Sequence, residues 1–153
     1  MFVDTAGWGN IVDRSQDFYA QATAPYRTAW QQRHRVVTTN YILAEVVALL
    51  TSPLRIPRPS VAAFINSLKT SPYIEILHVD AALDEQAWQL LAQRQDKAWG
   101  LVHCASFFVM QQQGITDALT TDHHFEQAGF VCLLRNTWLR LRFFALQAVR
   151  FGL

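Results

Sequence analysis

The sequence predicts an α/β fold with a mainly parallel sheet, and two observations carry that expectation. Short apolar or β-branched runs alternate along the chain with longer segments whose apolar residues recur at helical spacing, the pattern of strand–helix–strand units. The chain also has the size of one domain: 153 residues, 51% apolar and 16% charged, enough for a single core and too few for two. No internal repeat or low-complexity segment interrupts the alternation.

Taken in order, "MFV" is a buried opening strand that ends at Asp4. "TAGWGNIVDR" and "SQDFYAQATAPYRTAWQQR" have helical patterns, with Ser15 placed to cap the second and Pro25 to break it. "RVVTTN" is β-branched and forms the second strand. It runs directly into "NYILAEVVALLTS", where Ile42, Leu43, Val46, Val47 and Leu50 repeat at helical spacing. "SPLRIPRPS", with three prolines, is a loop, followed by a helix over "VAAFINSLKT", a strand over "YIEILHV" and a helix from Ala81 to Gln95. After an Asp96–Gly100 turn comes the apolar helix of "GLVHCASFFVM". "GITDALTTD" is a strand ending at Asp122, "HHFEQAG" a short helix closed by Gly129, and "FVCLL" the last strand. These elements place one domain over residues 1–134. Residues 135–153, with four arginines and no acid, are set apart as a basic, apolar extension.

A formal net charge of +1 neither favours nor excludes a nucleic-acid partner. Cys104 and Cys132 lack the spacing of a metal or disulfide pattern and behave as small buried hydrophobes in a reducing compartment. The start has no basic leader before an apolar run, and no run approaches the roughly 20 apolar residues of a membrane span. The expected location is the cytoplasm, with no membrane partner.

Three acids stand where chemistry gathers in such a fold. Ligands of an open parallel sheet bind beyond the carboxyl ends of its strands. Asp4 ends the first strand, Asp122 ends the "ALTTD" strand, and Glu45 sits in the second turn of the helix after "RVVTTN". Three carboxylates at one edge repel one another and resist desolvation, so such a cluster implies a compensating cation. Carboxylate oxygens with room for water suit Mg²⁺ or Mn²⁺, which lower the pKa of a bound water and brace a phosphodiester's leaving oxygen. Singly the signals are weaker: an aspartate after a strand is commonly a helix cap, as Asp4 is placed to be for "TAGW", and a helical glutamate commonly faces solvent.

"FVDTAGW", "TTNYILAE", "DKAWGLVHCASFFVM" and "GITDALTTDHHFEQAGF" resemble the successive signature blocks of PIN-domain proteins, most closely the VapC-type toxins of bacterial toxin–antitoxin pairs. The blocks fall in family order over residues 2 to 134. The resemblance implies an α/β/α three-layer sandwich around a parallel sheet and a Mg²⁺- or Mn²⁺-dependent ribonuclease, so that RNA is the substrate. It also implies a homodimer held inactive by a small antitoxin. Carried over by position, Asp4 is the first family acid, Glu45 the helix acid and Asp122 the acid after the later strand. Thr5 stands where the family often has a hydroxyl near the metal, with Thr39 or Asn40 as polar support.

The remaining family acid is expected in the first turn of the helix after "WGL", and there this sequence has His103. Three readings of His103 stand together. It is a half-buried, satisfied imidazole of an apolar helix; or a metal ligand favouring Mn²⁺ or Zn²⁺ over Mg²⁺; or the mark of a site that has lost one negative charge and most of its activity. The last is the expectation taken forward. Asp96 and Asp117 are placed to cap turns or face solvent rather than to substitute, and His123 and His124 to form a turn and a short cap.

The leading expectation is therefore a toxin-type endoribonuclease using Asp4, Glu45 and Asp122, with His103 as the fourth member of the site. The alternative is a catalytically degraded PIN-fold protein that binds antitoxin or RNA. A DNA-directed phosphoesterase is the third class, and this chain lacks the arch such enzymes use. Aromatic residues such as Phe107, Phe108, Trp138 and Phe143 exceed what one core readily hides, so dimerisation through apolar surface is expected.

Overall fold

The computed structural model describes residues 1–135. Five strands form one sheet: β1 (Phe2–Val3), β2 (Val36–Thr39), β3 (Ile74–Leu77), β4 (Asp117–Leu119) and β5 (Val131–Cys132), in spatial order β3-β2-β1-β4-β5. Every pairing is parallel, in register Phe2 with Val37, Phe2 with Ala118, Val36 with Ile74 and Asp117 with Val131. The chain steps outward from β1 to β3, then returns to the other side of β1. Right-handed crossovers therefore put α1 (Thr5–Val12), α2 (Tyr19–Gln31), α3 (Asn40–Thr51) and α4 (Arg58–Thr70) on one face. They put α5 (Ala81–Gln93), α6 (Leu101–Gln112) and α7 (His123–Gln127) on the other. This is the expected three-layer sandwich.

Burial follows the pattern of a sheet covered on both faces, where strands carry runs of apolar residues rather than alternation. Phe2, Val3, Val37, Ala118 and Leu119 are fully buried, and Val36 nearly so. Ile42, Leu43, Val46 and Leu50 bury one stripe of α3, whereas Val47 faces outward. Trp8 sits between the aromatic edges of Tyr26 and Phe64, and its indole N–H donates to Thr38 Oγ1 at 3.2 Å. Gly7 is required by close approach: a Cβ there would lie 2.1 Å from the Leu119 carbonyl oxygen.

Several local expectations are corrected. Ser15 does not cap α2; it lies in a turn where Asp13 Oδ1 accepts from both its backbone N–H and its hydroxyl, and the helix begins four residues later. Pro25 does not break α2, because only the single bond to the Gln21 carbonyl is forfeited while Ala22, Thr23 and Ala29 anchor both sides in the core. The proline-rich loop is shorter than expected, since Pro57 caps α4 and Pro59 fits its first turn, where a missing N–H costs nothing. β4 stops at Leu119, and Asp122 caps α7 instead of ending the strand. Phe107 is not surplus surface: only 2% exposed, it packs edge-on between Trp99 and Phe125. Trp138, Phe143 and the extension from 136 onward lie outside the described residues.

Candidate metal centre

A cleft of about 400 Å³ opens at the carboxyl edge of the sheet, and Asp4, Glu45, His103 and Asp122 all line it. β1 and β4 are neighbours there, and their following segments lead to opposite faces. The cleft thus lies at the topological switch point where open α/β sheets bind ligands. Thr5 and Asn10 from α1, Ser106 from α6 and Gln16 add polar lining, while Ile42, Val102 and Phe125 supply apolar walls.

Asp4 lies at the floor, 5% exposed. It is also the N-cap of α1, so the cap and site readings hold together: Oδ1 accepts from the Gly7 N–H at 2.7 Å, one of the helix's orphan donors. Oδ2 accepts from the Thr120 hydroxyl at 2.6 Å. Burial pushes the Asp4 carboxyl up to about 7 although both hydrogen bonds favour the ion, and the charges of Asp122 and Glu45 raise it further.

Glu45 projects from the exposed side of α3, and its Oε2 accepts from the Thr5 hydroxyl at 2.5 Å. That bond ties the first residue of α1 to the second turn of α3. Asp122 accepts on Oδ1 from the His124 backbone N–H at 2.8 Å, capping α7. Burial would raise its carboxyl, but the His124 N–H and the His103 ring outweigh burial and hold it below the usual carboxylate range.

His103 occupies the third position of α6. Its Nδ1 accepts from the Gly100 N–H at 2.9 Å, closing a capping box at the helix start. An acceptor Nδ1 carries no proton, so the proton of the neutral ring is on Nε2, which donates to Asp122 Oδ2 at 2.8 Å. Both ring nitrogens are engaged in the metal-free protein: Nδ1 caps α6 and Nε2 holds Asp122 Oδ2. His124 Nδ1 lies 3.1 Å from Asp122 Oδ1 but off line for a hydrogen bond, and this buried nitrogen has no partner.

The other candidates separate clearly. Asp96 pairs with Arg94 at 2.8 Å and does not line the cleft. Asp117 begins β4, at the opposite end of the strand from Asp122. Thr39 caps α3 through the Ile42 N–H, and Asn40 Oδ1 accepts from the Val79 N–H at 2.7 Å, so both support the scaffold rather than the cleft. Thr120 was not singled out from sequence. Fully buried, it donates to Asp4 and accepts from the Asp122 N–H at 2.8 Å, tying two acids together. The only signal for it was a hydroxyl two residues before the acid.

The donor set fits a hard divalent cation. Asp4, Glu45 and Asp122 offer carboxylate oxygens to one cleft, and burial, with a smaller push from the charges of Asp122 and Glu45, makes the ionised Asp4 costly without a compensating cation.

The PIN domain model matches residues 1–131. The 23S rRNA-specific endonuclease VapC20 of Mycobacterium tuberculosis, in two strains, is 33% identical over 132 residues, spanning 86% of this chain and 95% of that protein. The crystal structure of Mycobacterium tuberculosis VapC20, described as a sarcin–ricin loop cleaving toxin, superposes with a TM-score of 0.72 at 30% identity. That alignment covers 85% of this chain and 95% of the other. With the match reaching from β1 into β5 and enclosing all four cleft residues, this chain belongs to the PIN domain family.

Proposed function

We propose that this chain is a toxin-type endoribonuclease that cleaves a structured ribosomal RNA, with Asp4, Glu45 and Asp122 as its metal-holding acids. One observation carries the reading: the three acids line a single cleft at the switch point of a chain 33% identical to a 23S rRNA-specific endonuclease. Mg²⁺ or Mn²⁺, when bound, supplies a water of lowered pKa and charge neutralisation at the phosphodiester. The chain's own part is positional. Thr120 fixes Asp4 and the backbone of Asp122 relative to each other, Thr5 fixes Glu45, and the capping bonds of Asp4 and Asp122 aim both carboxylates from rigid helix starts. His103 holds Asp122 Oδ2 and competes for it with a cation.

In this reading the protein acts in the cytoplasm, is a homodimer and is restrained by a small antitoxin; residues 135–153 form an extension beyond the nuclease domain. A second reading, a PIN-fold protein that binds RNA or antitoxin without cutting, is favoured by the His103–Asp122 bond, which occupies one of three acids. Incubating the protein with 23S rRNA and Mg²⁺ or Mn²⁺ separates the two. Cation-dependent cleavage that Asp4→Asn abolishes supports the nuclease; RNA binding without cleavage supports the second reading.

A further inference from the structure

We propose that His103, Asp122 and His124 form a second, borderline-metal site that takes Zn²⁺ and draws Asp122 away from the acid cluster. His103 Nε2, an Asp122 carboxylate oxygen and His124 Nδ1 all lie within 4.8 Å of one another; His103 Nε2 is 2.8 Å from Asp122 Oδ2, and His124 Nδ1 is 3.1 Å from Asp122 Oδ1, so the carboxylate faces one imidazole with each oxygen. A tetrahedral zinc with bonds of about 2.0–2.2 Å sets its ligand atoms roughly 3.3 Å apart, so adjustments of a few tenths of an ångström bring these two pairs into range. Two imidazoles and one carboxylate are the donor chemistry of zinc rather than of magnesium, which prefers oxygen alone.

The second observation is independent of the cluster's composition. His124 Nδ1 is shut off from water and makes no hydrogen bond, although Asp122 Oδ1 lies 3.1 Å away, an arrangement native proteins rarely leave uncompensated. The fold also holds the trio in place: His103 is fixed in the first turn of α6, and Asp122 and His124 open α7, with the two imidazole rings edge-on at 4.9 Å between centroids. Proton balance closes without an external base. When zinc takes His103 Nε2, the ring proton resides on Nδ1, and the exposed Gly100 N–H that Nδ1 had accepted turns to water.

The consequence for cleavage rests on the nuclease reading; the binding site does not. A zinc ion held here and a magnesium ion held by Asp4 and Glu45 compete for one carboxylate, so zinc inhibits a magnesium-loaded nuclease.

Calorimetric titration of the metal-free full chain with Zn²⁺, alongside Co²⁺ followed by visible absorption, tests the site directly. The expected result is saturable 1:1 Zn²⁺ binding and the intense absorption of tetrahedral Co²⁺. His124→Ala and His124→Gln should weaken Zn²⁺ at least tenfold, and His123→Ala and Asp4→Asn should stay within about threefold of wild type. Thermal melts confirm that each variant is folded. Wild-type protein that fails to saturate with Zn²⁺, or His124 variants that bind as tightly as wild type, would overturn the proposal. So would loss of binding in Asp4→Asn alone, which would put the ion in the acid cluster. A chain that binds zinc but cuts no RNA refutes the nuclease reading and leaves this site standing.

Discussion

Replacing Asp4 with asparagine should make the metal-free protein more stable at pH 8 while removing its activity. Asp4 is buried, and its carboxyl is pushed from 3.8 up to about 7. The folded state therefore binds this proton more tightly than the unfolded chain. The stability it contributes is complete below about 3.8 and is lost as pH rises through 7. A shift of about 3 units at 1.36 kcal/mol each corresponds to about 4 kcal/mol, and the coupling to Glu45 and Asp122 lowers a usable figure to about 2–4 kcal/mol. Asparagine keeps the Gly7 bond and reverses the Thr120 one, so the Thr120 hydroxyl proton loses Asp4 as its acceptor and part of the gain is offset. Its oxygen accepts from Gly7, and its amide donates to the Thr120 oxygen, which retains a lone pair beside the Asp122 N–H. For a domain of this size a melting point higher by roughly 4–16 °C is expected, at about 2–4 °C per kcal/mol. The assay is calorimetric melting of wild type and Asp4→Asn in EDTA from pH 4.5 to 8. Their difference should be small at the acid end and grow toward pH 7. A variant equally or less stable at pH 8, with a difference flat in pH, would refute burial of a charged Asp4 as the source.

Three further outcomes follow from the same geometry. His103→Asp keeps an acceptor for the Gly100 N–H and turns a carboxylate toward Asp122, so Mg²⁺ should bind roughly tenfold tighter, about 1.4 kcal/mol, and cleavage should rise. A folded His103→Asp protein that cuts more slowly than wild type would mean the imidazole aids the reaction. Gly7→Ala drives a methyl against the Leu119 carbonyl at 2.1 Å and Val3 at 2.9 Å, which should cost about 3 kcal/mol in denaturant unfolding; a loss under about 1 kcal/mol would show that α1 shifts freely. Light scattering at micromolar concentration should give the mass of a dimer, and among the described residues Phe18, Trp30 and Trp88 are exposed aromatic side chains that could contribute to it; a monomer would count against the assembly.

The sheet and the position of its acids were legible because both rest on local signals. β-branched runs such as "RVVTT" have no helical alternative, and Asp4 and Asp122 each stand next to an apolar run at a place where parallel sheets expose their edges. The α2 start escaped because Ser15 is a good cap in isolation and loses to Asp13, which binds both of its donors. Phe107 escaped because an apolar helix with no polar face does not declare which side is core. Thr120 and the His103 bonds lie deeper: each depends on a partner fixed only by the fold, Asp4 in one case and Asp122 with the Gly100 backbone in the other. A one-residue substitution in a family pattern showed that something differed at 103. Its tautomer, and hence its role, is set in three dimensions.

The bond from Thr120 to Asp4 spans 116 positions of the chain. During synthesis the amino end emerges first, and Asp4 and Glu45 are exposed to the cell long before β4 and the start of α7 leave the ribosome. Contacts of such separation form late, after intervening loops have closed. Until they do, two of the three acids have no third and Asp4 lacks the hydroxyl that orients it. A nascent chain therefore lacks the assembled cleft, and on the nuclease reading it has no complete metal-holding site until β4 and the start of α7 have folded.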